Sequence, residues 1–210
     1  MRKTLFACGL AMLIVAGAGP ATRGAPLVSD PNAIPTWRGT RAFSASSGGA
    51  SLQVDIEYAV YAPGAYGASG TDPSGGSDYV YAYQVFNDQG GTSPLSSTTV
   101  GLVPGSGATN IGSDSTSGTP GGTAPATSAF SGSPPSSAGY YFWANTIDPP
   151  AEFSEVLLFT SPNGPRWVSA AVVDSGLADS QPLPSPIPEP VTLALLAAGA
   201  GLICLRPRCR

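Results

Sequence analysis

Asp55 and Glu57 stand two residues apart in an alternating stretch, and Glu152 and Glu155 flank the start of another. Paired carboxylates are what glycoside hydrolysis uses, one as acid and one as base or nucleophile. On a strand, side chains at i and i+2 share a face about 7 Å apart. A solvated strand face produces the same pattern, and nothing in the sequence selects one pair over the other. Asp72, Asp78 and Asp114 lie in glycine-rich stretches where carboxylate oxygens could hold calcium. The Asp-x-Asp-x-Asp-Gly pattern is absent, so loop solubility is the better account of them, and no metal or cofactor is expected.

The chain lacks the side chains for several other chemistries. It contains no histidine, and between residues 22 and 187 it has neither lysine nor cysteine. Ser-His-Asp and Cys-His nucleophiles, zinc sites of the usual nitrogen and sulfur type, and Ser-Lys or Schiff-base mechanisms are therefore excluded there. Gly48-Gly49 and Gly75-Gly76 lack the Gly-Lys-Ser/Thr that would complete a phosphate-binding loop. The same segment sets four arginines against twelve acids, a formal charge of −8. That balance argues against nucleic acid, whose binding rests on neutralising phosphates. Tyr58, Tyr61, Tyr66, Tyr79, Tyr81, Tyr83, Tyr140 and Tyr141 exceed what one small core needs. An exposed subset would suit stacking on sugars, while cross-strand pairing within a sheet is their more ordinary use.

These residues must be positioned by strands. In 51–62, Leu52, Val54, Ile56, Tyr58 and Val60 alternate with Gln53, Asp55, Glu57 and Tyr61, a period of two that signals a half-buried strand. Residues 78–87, 97–102, 140–144, 154–160 and 167–174 read as further strands, with a short one near 126–130. Asn87-Asp88-Gln89-Gly90-Gly91 and Pro162-Asn163-Gly164-Pro165 mark turns. Residues 105–138, rich in Gly, Ser, Thr and Pro, read as a long flexible loop with too little apolar surface to offset ordering entropy. No segment keeps a helical period. Six or seven short strands between turns predict an all-β fold, an antiparallel β-sandwich of Ig-like or jelly-roll-like style over 22–180, followed by a proline-rich linker at 181–187.

The two ends read as addresses. Arg2 and Lys3 precede an uncharged run from Leu5 to Ala18, ending in small residues, the pattern of a secretory signal peptide over 1–21 with cleavage after Ala18 or Ala21. Export by the Sec machinery follows. At the other end, Pro188-Glu189-Pro190 precedes an apolar helix at 191–205 and then Arg206, Arg208 and Arg210. Fifteen helical residues rise only about 22 Å against a hydrocarbon core of about 30 Å, so this segment would hold the chain in a membrane transiently. Cys8, Cys204 and Cys209 all fall in these ends, leaving no disulfide framework for the body.

Residues 188–210, with Pro188-Glu189-Pro190, Thr192, the Leu-Ala-Leu-Leu run at 193–196, a Gly/Ala-rich helix and terminal arginines, resemble the PEP-CTERM sorting signal. The basic end departs from the pattern at Pro207 and Cys209. The stretches 78–87 and 157–165 also resemble segments of other exported proteins that carry this tag. The resemblance implies recognition by an exosortase-type membrane protease, cleavage near the motif, and release or anchoring at the surface of a biofilm-forming, exopolysaccharide-producing bacterium. The resulting expectation is a non-catalytic cell-surface or matrix protein associated with exopolysaccharide. A carbohydrate-active enzyme using paired carboxylates and a calcium-stabilised adhesion module are its rivals.

Overall fold

The alternating stretch at 51–62 becomes strand β2 (Ala50–Tyr61), and its five apolar positions Leu52, Val54, Ile56, Tyr58 and Val60 all lie in the main core. The computed structural model describes residues 26–188 apart from 88, 89 and 175. The signal peptide with Ala18 and Ala21, Glu189, Pro190, the apolar segment 191–205 and Arg206, Arg208 and Arg210 lie outside the described residues; of the sorting motif only Pro188 is described. Among the described residues no helix is long and apolar enough to cross a membrane.

Ten strands form two five-stranded sheets. The others are β1 (Arg38–Ser47), β3 (Tyr79–Asn87), β4 (Ser97–Gly101), β5 (Thr109–Asp114), β6 (Thr127–Ser131), β7 (Ser137–Tyr141), β8 (Val156–Ser161), β9 (Pro165–Asp174) and β10 (Leu177–Pro186). The first sheet runs β1-β2-β3-β8-β5 and the second β10-β9-β4-β7-β6, with every neighbouring pair antiparallel. The fold is an antiparallel β-sandwich.

Its interior stacks Tyr81 on Phe159 at 5.1 Å and 11°, with Tyr83 and Phe130 against the same phenyl ring. A smaller apolar layer covers the opposite face of the first sheet. There Leu27 and Ala33 pack with Ala59, Tyr61, Tyr66, Val80, Ala82, Val156 and Leu158. Strands buried on both faces lose the polar/apolar alternation. This explains why β8 is buried along its whole length and why Tyr61, on the polar side of the sequence pattern, is buried.

Three segments depart from the sequence expectations. The stretch 105–138 holds β5 and the start of β7 as well as β6, the short strand expected near 126–130. Both β5 and β6 are edge strands, held by ladder hydrogen bonds to β8 and β7 and therefore not requiring an apolar face. The expected linker at 181–187 is the second half of β10. Its prolines 182, 184 and 186 share one parity, so the N–H groups they lack belong to the side facing away from β9. The opposite parity carries the pairing, as Ile187 shows by donating its N–H to the Gly164 carbonyl at 3.3 Å. Finally, β1 was not expected at all. It is a polar edge strand with one buried residue, Phe43. It turns into β2 through Gly48 and Gly49, whose φ of 59° and 88° make the two-residue hairpin possible.

The β1 and β10 edges meet, where the Ser44 N–H donates to Asp179 Oδ2 at 2.8 Å. This brings the first turns of β1 beside the start of β9 on one side of the sandwich.

Candidate functional site

Of the four carboxylates singled out for acid–base chemistry, Asp55 and Glu57 stay together on one face of β2, where burial and then the Asp55 charge raise Glu57, while Glu152 and Glu155 are held in separate local roles. Asp55 and Glu57 stand on β2 in register with Phe86 and Gln84 of β3. Burial raises the Glu57 carboxyl above its ordinary range, opposed by the backbone N–H groups of Val28 and Leu27, and its Oε2 is buried without a hydrogen-bond partner. Glu152 Oε2 accepts from the Asp148 N–H at 2.9 Å, and Glu155 accepts from Ser113 Oγ at 2.7 Å. Glu152 and Asp148, with Asn145 and Thr146, line an open hollow of about 500 Å³.

The glycine-loop acids are also engaged. Asp114 Oδ1 accepts from the Thr116 N–H and hydroxyl, and Oδ2 from the Tyr66 hydroxyl at 2.9 Å and the Thr71 N–H at 3.1 Å. Burial pushes its carboxyl up, but the Thr116, Tyr66 and Thr71 donors outweigh that and hold it below the ordinary range. Asp72 caps its own turn through the Ser74 N–H and hydroxyl, and Asp78 accepts from Ser77 Oγ. Among the described residues no three acidic, His or Cys side chains gather as a metal ion would need.

The tyrosines turn out to be chiefly interior. Tyr58, Tyr61, Tyr66, Tyr81, Tyr83 and Tyr140 are buried, Tyr79 is half-buried, and only Tyr141 reaches solvent substantially. Most buried hydroxyls have a partner: Tyr61 donates to Asp30 Oδ2 at 2.8 Å, Tyr81 to the Asn163 carbonyl at 2.7 Å, and Tyr83 to the Pro184 carbonyl. Burial raises the phenols of Tyr61, Tyr66, Tyr81, Tyr83 and Tyr140 far above their ordinary range. These rings supply core area instead of a sugar-stacking surface.

The exposed aromatic surface is built from tryptophan. Trp167, on β9, is 45% exposed. Its ring lies 5.1 Å from that of Trp37, which ends a short 3-10 turn at Pro35–Trp37, and meets Tyr58 edge-on at 5.6 Å. The Arg41 guanidinium sits 5.5 Å from the Trp167 ring centroid. Such a cation over an indole is worth about 0.5–1 kcal/mol at an exposed site and more when desolvated. Arg41 Nε is buried with no hydrogen-bond partner.

All three basic side chains of the described residues, Arg38, Arg41 and Arg166, stand on β1 and β9, and Arg41 is the one over the Trp167 ring. Arg38 is committed to the Asp30 carbonyl, whereas Arg166 is exposed. Sequence reasoning missed the corner because it followed the tyrosines. The signal was present in two mirrored dipeptides, Trp37-Arg38 and Arg166-Trp167. No family model, curated protein or solved structure matches the chain.

Proposed function

We propose that the chain is an exported, non-catalytic β-sandwich sorted to the cell surface or extracellular matrix, where it contacts polysaccharide through the Trp37–Trp167 corner. The observation that carries the contact is Trp167 itself: nearly half exposed, yet braced by Trp37, Tyr58 and Arg41. A large apolar ring held rigidly at the surface presents a flat face to the C–H faces of a sugar at little entropic cost. The export route is supported by the N-terminal signal pattern and by the likeness of 188–210 to PEP-CTERM tags. The non-catalytic reading is supported by the local engagement of Asp114, Glu152 and Glu155 in the hydrogen bonds of their own loops.

Fractionation and intact-mass measurement in an exosortase-bearing host, with and without that protease, test the route. Loss of the segment beyond about Pro190, with the body at the surface or in the medium, is expected only when the protease is present. An intact C-terminus kept in the inner membrane in both strains would overturn it. Retention of the exported protein on an immobilised glycan panel, compared with Trp167→Ala, tests the contact. The variant should lose at least about tenfold in affinity, since one stacked ring carries a large share of a small site.

A further inference from the structure

We propose that the Trp37–Trp167 corner selects an acidic polysaccharide, one whose sugar units carry carboxylates, with Arg41 meeting the charge. The inference rests on the glycan reading of the same corner and adds the class of sugar.

Charge distribution is the first argument. The body from 22 to 187 has a formal charge of −8, so a polyanion is repelled by most of its surface. Yet all three cations of the described residues lie on β1 and β9, and one of them, Arg41, stands over the ring of the Trp37–Trp167 pair. A neutral glycan would need no such concentration of the scarce basic residues, and an acidic one would be oriented by it.

The state of Arg41 is the second. Its guanidinium leans on the Trp167 ring, and its Nε is shut away from water without an acceptor. A partly desolvated cation held by an aromatic face gains most from a carboxylate brought to its open edge, because charge-assisted pairing strengthens as water is excluded. Arg166, next in sequence to Trp167 on the same strand, projects to the opposite face of β9, so Arg41 is the cation at the ring. A uronate-type unit stacked on Trp167 would place its carboxylate within reach of Arg41, whereas Arg38 is already bound to the Asp30 carbonyl.

The test compares polygalacturonate with its carboxyl-reduced neutral form, using the exported protein in affinity electrophoresis or calorimetry. The expected result is binding of polygalacturonate at least about tenfold tighter than of the reduced polymer, with the difference shrinking as salt rises, because exposed charges are screened. Arg41→Gln should lower only the polygalacturonate affinity, by about three- to tenfold, and Arg166→Gln, on the opposite face of β9, should lower it less. Equal binding of both polymers, abolished by Trp167→Ala, would overturn the acidic-sugar inference and leave the glycan reading standing. Binding of neither polymer, in a protein whose near-UV circular dichroism shows a folded core, would overturn both. Self-association through the corner, lost in Trp167→Ala and unaffected by either polymer, would replace both with a protein–protein interface.

Discussion

The side chain of Gln84 and the backbone of Thr119 exchange two hydrogen bonds: Gln84 Nε2 donates to the Thr119 carbonyl at 2.7 Å, and the Thr119 N–H donates to Gln84 Oε1 at 2.9 Å. A central strand thereby imitates a ladder partner for a loop that has none, and Nε2 also reaches the Ser154 carbonyl at 2.9 Å. Gly118 permits the approach, having a φ of +63° and no Cβ, which would fall 2.7 Å from Gln84 Oε1. Gln84→Leu keeps the volume but strands these backbone groups. It should cost about 2–3 kcal/mol in denaturant unfolding, given about 1–3 kcal/mol for each buried group left unpaired. Proteolysis within 115–123 should rise in parallel, and an unchanged midpoint would show that the loop is held by other means.

Asp114 predicts a loss of stability in acid. Its folded carboxyl lies below the ordinary value of 3.8, so its contribution is present above that value and is lost as pH falls through the folded one. Asp114→Asn should therefore melt lower than the parent near neutral pH, with the gap closing as pH falls through the folded value. A gap that stays constant with pH would show that the ionised form is not what holds Tyr66 and Thr71.

Glu57 has the opposite sign. Its carboxyl is raised above 4.5 by burial, so what it contributes is fully present below that value and is lost as pH rises through the folded one. The parent should lose stability relative to Glu57→Gln across that interval, read as a pH-dependent difference in melting temperature. Parallel curves would mean that the carboxylate finds compensation when charged.

Calcium offers a further check. Both oxygens of Asp114 are occupied by protein donors, and Asp72 Oδ1 is spent on its own turn while its Oδ2 is buried without a partner. Among the described residues no three acidic, His or Cys side chains gather there as a metal ion would need. Millimolar calcium should leave the melting temperature where a chelator leaves it. A cation that binds only the folded state must raise the transition as its concentration exceeds the dissociation constant, so a calcium-dependent rise would restore the adhesion-module reading.

The strands legible in the sequence were those with one apolar face in the main core: β2, β3, β8 and β9 announce themselves through period two or through unbroken apolar runs. Edges were harder to read. In β1 and β5 the ladder contributes more than the side chains, and Thr109–Asp114 has no apolar periodicity to detect, whereas β6 was read near 126–130. In β10 the prolines at 182, 184 and 186 suggested a linker, although their common parity was the sign of an edge strand. The site was obscured for a different reason. Tyrosine abundance offered an outward stacking surface beside its more ordinary use within a sheet, and a sheet covered on both faces takes the second, absorbing aromatics that a one-sided sheet would expose. The tryptophan corner depends on bringing residue 37 to residue 167, a long-range pairing that no local pattern reports.

The placement of β10 bears on how the chain would be handled at a membrane. Pro186 closes the strand, Ile187 is still bonded to Gly164, and Pro188 Cγ lies 3.3 Å from where a Cβ on Gly105 would sit. Almost no slack separates the sandwich from the Pro188-Glu189-Pro190 tripeptide. Under the proposed sorting route, a protease acting just past Pro188 would meet a folded wall and would need the last β9–β10 pair to fray before it could draw the chain in. The body would then act as a doorstop, setting how closely such an enzyme can come.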